Sequence, residues 1–159
     1  MACYIKFDGV DGESADKGHK GWSDLGSCSQ VIHRSGGGKT GVQRRGGNAQ
    51  LEDIQCSKEM DKASNVIAEA ICKGKVYPKV QIAFTTDGTD AGREAYFTYE
   101  LKNVMVTSYS VSGAPNGRPH ESFSLNFEEI KVKYTSASAG GQKGSNVEYG
   151  WKVEEGESA

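Results

Sequence analysis

Apolar and polar residues alternate over most of this chain, which is the pattern of half-buried β-strands. The count is about eight strands, and their short spacing and bends favour a β-barrel or a closed sandwich. The fold class predicted from this pattern is therefore mainly β. The alternating segments are residues 3–7, 22–34, 50–60, 80–85, 97–101, 104–109, 123–134 and 147–153.

The apolar positions change parity within the late alternating segment. Phe123, Leu125 and Phe127 occupy odd positions, whereas Ile130 and Val132 occupy even ones. Side chains of a strand point alternately to its two faces, so a parity change moves the apolar set to the other face. The shift across residues 128–129 predicts a β-bulge or a sharp bend in one long strand.

One segment has a helical period instead. Its apolar residues lie on a single stripe: Ala63, Val66, Ile67, Ala70 and Ile71. This spacing is typical of an amphipathic helix. Asp61 is a suitable N-cap, and Gly74 supplies the left-handed residue that ends a helix. The pattern predicts one α-helix over residues 62–73.

Glycine is frequent and proline is rare, at 21 and 3 residues, which fits many strands joined by turns. Residues 35–47 contain six glycines and three basic residues, and this segment has almost nothing to bury. We expect it to be a mobile loop. Its Gly-Gly-Gly-Lys-Thr stretch lacks the earlier glycine of a P-loop, because that position holds His33. Residues 135–146 read as a linker, and residues 154–159 read as an acidic tail.

The length of 159 residues predicts a single domain over residues 1–159. The 19 basic and 21 acidic residues give a net charge of −2, which argues against a nucleic-acid partner or an anionic membrane surface. The chain has no apolar run long enough for membrane insertion, and its first residues do not have the pattern of a signal peptide. We therefore expect synthesis to end in the cytosol.

No residue pattern predicts catalysis, a metal or a cofactor. The four cysteines contain no Cys-x-x-Cys pair, and without a signal peptide they are predicted to be reduced thiols. A zinc site of Cys28, His33 and Cys56 can be drawn, but its spacing fits no compact zinc module. The histidines at 19, 33 and 120 lie in loops or at strand ends, where solvated side chains are expected.

Acidic residues cluster in the first loop, at Asp8, Asp11, Glu13 and Asp16. Their order does not match a calcium-binding EF-hand loop, which needs a closing glutamate at its twelfth position and flanking helices. We interpret them as a solvated acidic patch.

Four separated segments together resemble one family. The first is Ile-Lys-Phe-Asp-Gly-Val-Asp-Gly-Glu-Ser at residues 5–14, with His19-Lys20 just after. The second pairs residues 51–53 with residues 61–64, and the third pairs residues 121–127 with residues 131–134. The fourth is Tyr-Gly-Trp at residues 149–151. In this order they resemble the Hcp (hemolysin-coregulated protein) family, the tube subunits of the bacterial type VI secretion system.

The resemblance implies a β-barrel with one helix that assembles as a six-membered ring. It implies that such homo-hexamers stack into a hollow tube, which carries a spike protein at its tip and is driven out by a contractile sheath. Small effector proteins can travel in the lumen of a tube of this family. A non-enzymatic structural protein is therefore expected, cytoplasmic before firing and then secreted without a signal peptide.

The resemblance also suggests surfaces for assembly. Basic residues of segment 35–47 are candidates to face acidic groups of the next ring, either in the first loop or in the 154–155 tail. The ring-stacking candidates are Lys39, Arg44 and Arg45 on one side and Asp8, Asp11 and Glu13, with Asp16, on the other. Ser27 and Ser29 are candidates for the lumen-facing wall.

Three alternatives remain open from the sequence. A tail-tube protein of a phage-like contractile particle differs from a secretion tube in gene context rather than in mechanism. A monomeric ligand-binding β-barrel would use Phe123, Phe127 and Trp151 as pocket lining. An enzyme on a small barrel lacks any paired acid–base or nucleophile arrangement.

Overall fold

The computed structural model describes residues 1–36, 47–86, 94–137 and 143–159. Within these ranges the chain forms twelve strands and one helix, so the prediction of a mainly β fold with one helix is confirmed for the described residues. The strands are β1 (Ala2–Phe7), β2 (Ser23–Leu25), β3 (Ser27–Ser29), β4 (Ile32–Arg34), β5 (Ala49–Leu51), β6 (Ile54–Glu59), β7 (Val76–Thr85), β8 (Ala95–Ser112), β9 (His120–Asn126), β10 (Glu129–Ala137), β11 (Lys143–Lys152) and β12 (Glu157–Ser158). The helix, α1, spans Ser64–Lys73.

Ten strands form one sheet that branches at β8. One path runs β12-β11-β10-β8-β7-β1-β2, and the other continues from β8 through β9 and β6 to β3. Strands β4 and β5 form a separate pair. The two branches end at β2 and β3, which Gly26 alone separates in sequence, but no ladder joins them. The predicted closed barrel is therefore not present in the described residues.

The predicted bend lies in a long hairpin. Strand β8 pairs along one edge with β9 over Met105–Ser112 and with β10 over Phe97–Lys102. The interruption between β9 and β10 falls at residues 127–128, next to the parity change at 128–129, so the predicted bend is confirmed. Asn103 on the opposite strand has a φ of +50°, and its Nδ2 donates to Glu128 Oε2 at 2.7 Å. This left-handed residue locally breaks the regular pleat of β8.

Several predicted segments are divided differently. Residues 22–34 form three short strands, β2, β3 and β4. Between β2 and β3, the Gly26 N–H donates to the Ser57 carbonyl at 2.7 Å, and the pairing partner of the chain changes from β1 to β6. Residues 50–60 divide into β5 and β6. The prediction of a linker over residues 135–146 is wrong at both ends, because residues 135–137 belong to β10 and residues 143–146 belong to β11. The predicted acidic tail folds back as β12 against β11.

The core lies on one face of the main sheet. Registers between neighbouring strands bring Ile5, Ile82, Tyr99 and Val132 into one row that crosses four strands. The face is completed by the inward side chains of β6 and β9, among them the fully buried Ile54 and Leu125. Burying a large aliphatic side chain stabilises the fold by about 1.5–3 kcal/mol, so these rows hold the strand order.

Helix α1 covers part of this core and packs against β8. Ala63, Ile67 and Ala70 are buried as predicted, whereas Val66 is 41% exposed. Gly74 ends the helix with a φ of +63°, which confirms the predicted stop. The predicted N-cap is wrong, because Ala63 occupies that position and Asp61 lies in the preceding turn. No helix in the described part of the chain has the length and apolar character needed to cross a bilayer.

Candidate functional site

The residues predicted to stack rings are only partly placed. Lys39, Arg44 and Arg45 fall in residues 37–46, outside the described residues, as does most of the loop predicted at 35–47. Asp8 is exposed at the turn that follows β1, and its backbone N–H donates to the Lys79 carbonyl at 3.1 Å.

Two acidic residues of the first loop have partners within the chain. Lys6 Nζ donates to Asp11 Oδ1 at 2.8 Å and to the Gly21 carbonyl at 3.0 Å, so it holds both ends of the loop. The hydrogen bond and charge of Lys6 lower the pKa of Asp11, although this side chain is 75% exposed. Glu13 Oε2 accepts the Lys62 N–H at 3.1 Å and ties the loop to the start of α1. The first loop thus has a fixed shape.

His19 is buried, so the prediction of a solvated loop histidine is wrong for this residue. Its ring stacks on Tyr4 at 4.5 Å between centroids and meets the edge of Trp22. Its Nδ1 lies 2.7 Å from Asp16 Oδ2, which is itself largely buried, so Asp16 is not part of a solvated patch. His33 and His120 are exposed, as expected.

Two rows of uncharged polar residues cross four strands on the face opposite the core, and all of them except the buried Ser124 are at least partly exposed. Register places Ser27 opposite Ser57, Ser57 opposite Ser122 and Ser122 opposite Ser110. A second row joins Ser29, Gln55, Ser124 and Ser108 in the same way. Neither row contains a charged residue. We call these eight residues the serine face, and it contains both of the predicted lumen residues.

Hydrogen bonds between side chains order the serine face. Ser27 Oγ lies 2.6 Å from Ser57 Oγ, and Ser124 Oγ lies 2.5 Å from Ser108 Oγ. Short side chains that bond to one another leave a surface without long flexible groups. The sequence alone indicated Ser27 and Ser29, but the continuation of their rows onto three other strands depends on strand order.

The opposite face carries apolar side chains beyond the core. The row of Ile5 and Tyr99 continues to Tyr149 on β11, and the next row ends at Tyr134 and Val147. These last three side chains are 48%, 45% and 67% exposed. We call Tyr134, Val147 and Tyr149 the apolar edge. It extends the core rows onto β10 and β11, where these side chains are only partly covered.

A buried ionic cluster joins β6, β9 and the start of α1, and sequence reasoning missed it. The Lys58 ammonium pairs with Glu121 and with Asp61, the latter at 2.8 Å, and its side chain is fully buried. Ser64 Oγ donates to Glu121 Oε1 at 2.9 Å. Tyr109 Oη donates to Glu121 Oε2 at 2.5 Å. The alternation of β6 and β9 places Lys58 and Glu121 on the inward face, which was the available signal.

The cluster changes the acidity of its members. Burial would raise the pKa of Asp61, but hydrogen bonds from Lys58 and Ser23 and the Lys58 charge outweigh it and lower that pKa. Burial and the hydrogen bond to Glu121 raise the pKa of Tyr109 to about 12. Since each charge is paired inside the protein, the cluster serves as an anchor between elements.

The aromatic residues considered for a ligand pocket lie elsewhere. Phe123 and Phe127 are 1% and 5% exposed within the packed core, and Trp151 packs against it. In the described part of the chain, no group of three or more histidine, cysteine or acidic residues is placed to hold a metal ion.

Comparison with known proteins identifies the family. Residues 4–134 match the family described as "Type VI secretion system effector, Hcp". The chain is 32% identical over 152 residues to Protein hcp1 of Pseudomonas aeruginosa, and the match covers 94% of this chain and 93% of that protein.

Solved structures agree in fold. A type six secretion system protein superposes with a TM-score of 0.90 at 28% identity, over 100% of this chain and 99% of the other. Hcp1 from Salmonella typhimurium superposes with a TM-score of 0.81 at 22% identity, over 99% and 98% of the two chains. The chain therefore belongs to the Hcp family of type VI secretion system proteins.

Proposed function

We propose that this chain is the tube subunit of a type VI secretion system. Six copies form a ring, and the rings stack into a hollow tube that a contractile sheath expels with a spike protein at its tip. The observation that carries the proposal is membership of the Hcp family over nearly the whole chain. The protein is cytoplasmic before firing and is then secreted. Its role is structural and needs neither a catalytic residue nor a cofactor.

The apolar edge supports ring formation. Its side chains are 45–67% exposed and continue the packed core rows, so a neighbouring copy can complete the packing. Apolar surface left uncovered on a folded chain is a mark of a protein interface. In a ring each copy uses two different patches, and the contact closes after a fixed number of copies. We assign the apolar edge to one of these two patches.

The serine face supports a role in the lumen wall. Ser27 and Ser29 lie exposed in an uncharged polar surface, and the hydroxyl groups of Ser27 and Ser57 hydrogen-bond to each other. The eight residues of the serine face carry neither an apolar side chain nor a charge to hold a passing protein. It therefore suits transport of varied small effector proteins, which must be released at the target.

Charge complementarity supports the stacking of rings. We assign Lys39, Arg44 and Arg45 to one side of the ring contact and Asp8, Asp11 and Glu13 to the other. Asp11 and Asp8 are exposed at the first loop, and the contacts of Lys6 hold that loop in one shape. A preformed acidic loop loses little conformational entropy when it binds a basic partner.

Native mass spectrometry in reducing buffer, followed by negative-stain imaging, tests the proposed function. We expect a species of six times the chain mass that appears as rings with a central hole. Tubes are expected at high protein concentration or in the presence of the baseplate. A monomer at every concentration, also with the baseplate proteins present, would exclude the tube role.

Charge reversal tests the stacking contact. Arg44→Glu with Arg45→Glu should leave the rings intact and shorten the tubes, because like charges then face each other. Added salt, which weakens the contact in the parent, should lengthen the tubes of the variant because it screens this repulsion. The matched control is Lys131→Glu with Lys133→Glu, which changes the same charge on the exposed side of β10. Tubes of unchanged length and salt sensitivity in the Arg44/Arg45 variant would refute the assignment.

A further inference from the structure

Two cysteines face each other across neighbouring strands. Cys28 of β3 lies directly opposite Cys56 of β6 in an antiparallel ladder. Cys56 is buried within the core, and Cys28 packs against it while remaining partly exposed. Next to them, on β9, Phe123 lies opposite Cys56. Both are free thiols in this structure.

The strand register suits a covalent bond between them. Directly opposed residues of an antiparallel pair have Cα atoms about 4.5–5.5 Å apart, within the range of about 4.4–6.8 Å found for disulfides. Both side chains lie on the core side of the sheet, Cys56 within the packed core and Cys28 against it, so the two sulfurs are on the same face of their strands.

We propose that Cys28 and Cys56 are an internal thiol–disulfide exchange site that oxidises within one chain. The oxidant is a small-molecule disulfide such as oxidised glutathione. The Cys28 thiolate attacks one sulfur of the oxidant, and a mixed disulfide forms as the first glutathione leaves as a thiolate. Cys56 loses its proton and attacks the Cys28 sulfur, which releases the second glutathione. The chain loses two hydrogen atoms, and one oxidised glutathione becomes two reduced molecules.

The environments of the two thiols assign these roles. The hydrogen bond from Cys56 lowers the pKa of Cys28 despite its burial, and this partly exposed thiol is the attacking group. The same hydrogen bond, together with burial, raises the pKa of Cys56, which acts second. The thiol nearby on β1, Cys3, is a weaker competitor because burial and the proximity of Cys28 raise its pKa to about 12.

The bond joins β3 to β6 beneath the serine face. It closes the segment from 28 to 56, which includes β4 and β5, and so restricts the unfolded chain. An oxidised chain should therefore resist heating better than a reduced one, by about 5–10 °C in Tm. The disulfide should form after the protein leaves a reducing compartment and enters an oxidising one, because small-molecule disulfides are abundant there. It does not depend on the tube role and is measured on the chain itself.

The experiment equilibrates the full chain in buffers of increasing oxidised-to-reduced glutathione ratio. Each sample is quenched in acid, denatured and alkylated, so that buried thiols also react. We expect four labels on the reduced chain and two on the oxidised chain, with one disulfide mapped by peptide mass to Cys28 and Cys56. The Tm of the oxidised chain should be higher by the amount given above.

Two variants separate the proposed pair from its competitors. Cys72→Ser, which removes an exposed thiol on α1, should still form the bond. Cys28→Ser should form none and should show no rise of Tm on oxidation. Retention of four labels in the oxidising buffers would overturn the proposal. So would a disulfide that maps to Cys3 or that links two chains through Cys72.

Discussion

At the scale of single residues, the buried ionic cluster is the strongest determinant of local structure. A charge removed from water costs several kcal/mol unless a partner compensates it. Lys58 has two carboxylate partners, Glu121 and Asp61, and its side chain has no exposure. Replacement of this one cation leaves both acids without their shared partner.

Lys58→Met should therefore lower the free energy of unfolding by about 3–5 kcal/mol, as measured by urea denaturation. The matched control is Lys102→Met, because Lys102 pairs with Glu129 on the surface at 3.1 Å and is 51% exposed. An exposed pair contributes about 0–1 kcal/mol, so the control should stay close to the parent. Equal losses in both variants would contradict the view of the cluster as an anchor.

Asp61 should make stability depend on pH. Its pKa is lowered in the folded chain, so its contribution is fully present above its ordinary value near 4 and is lost as the pH falls through the folded pKa. Urea midpoints measured from pH 6 downwards should fall less steeply for Asp61→Asn than for the parent. Asp24→Asn, which removes an exposed carboxylate on β2, is the control and should retain the parental slope. A parental slope in Asp61→Asn would contradict the assignment.

The cluster also indicates what a sequence can reveal about single residues. Lys58 and Glu121 stand at positions where their strands alternate inward, so a careful reading finds two charges on buried faces. Their pairing could not be predicted, because it depends on the antiparallel register of β6 and β9, two strands that are far apart in the sequence. His19 was misjudged for a related reason, since Tyr4 and Trp22 cover it only after the first loop folds back.

At the scale of elements, the apolar stripe of helix α1 and its C-terminal end could be predicted from the sequence. Its beginning was not predictable, because Lys58 and the Ala63 N–H both bind the Asp61 carboxylate in the turn before the helix. The C-terminal end is set by the backbone alone. Gly74 adopts a φ of +63°, and its N–H donates to the Ile71 carbonyl.

Gly74→Ala should cost about 1–2 kcal/mol, because a side chain disfavours the left-handed conformation even though the space around the position is open. The matched control is Gly117→Ala, a glycine in an equally open position without a positive φ. Thermal unfolding should lower Tm for the first variant and leave the second within about 1 °C, the scale of a surface substitution. A Gly74→Ala variant as stable as the control would mean that the helix end adjusts its backbone.

At the scale of the whole molecule, strand content was predictable and closure was not. The alternation patterns located most strands, and the parity change located the bend opposite Asn103. A closed barrel would need a ladder between β2 and β3, but the chain changes its pairing partner within the single residue Gly26. Such a change leaves no periodic signal. The serine face and the apolar edge could not be predicted from the sequence either, because each forms only when strands that are distant in the sequence are aligned.

The apolar edge provides the decisive test of assembly. Val147→Glu places a charge where the proposed ring contact would bury an apolar side chain, and the proposed six-membered ring would contain six such contacts. We expect the variant to keep the parental far-ultraviolet circular dichroism and Tm, because this side chain is 67% exposed in the single chain. Its rings should be less stable, because an unpaired buried charge costs several kcal/mol. The protein concentration below which the rings dissociate should rise at least about 100-fold relative to the parent.

The control for this test introduces the same charge at an apolar residue outside the edge. Val66 on α1 is 41% exposed, and a glutamate in the first turn of a helix is well tolerated. Val66→Glu should therefore form rings as the parent does in native mass spectrometry. If both variants assemble equally well, the apolar edge is not the ring contact, even when the chain is a tube subunit. If only Val147→Glu fails, the exposed continuation of the core rows is the surface that a neighbouring copy completes.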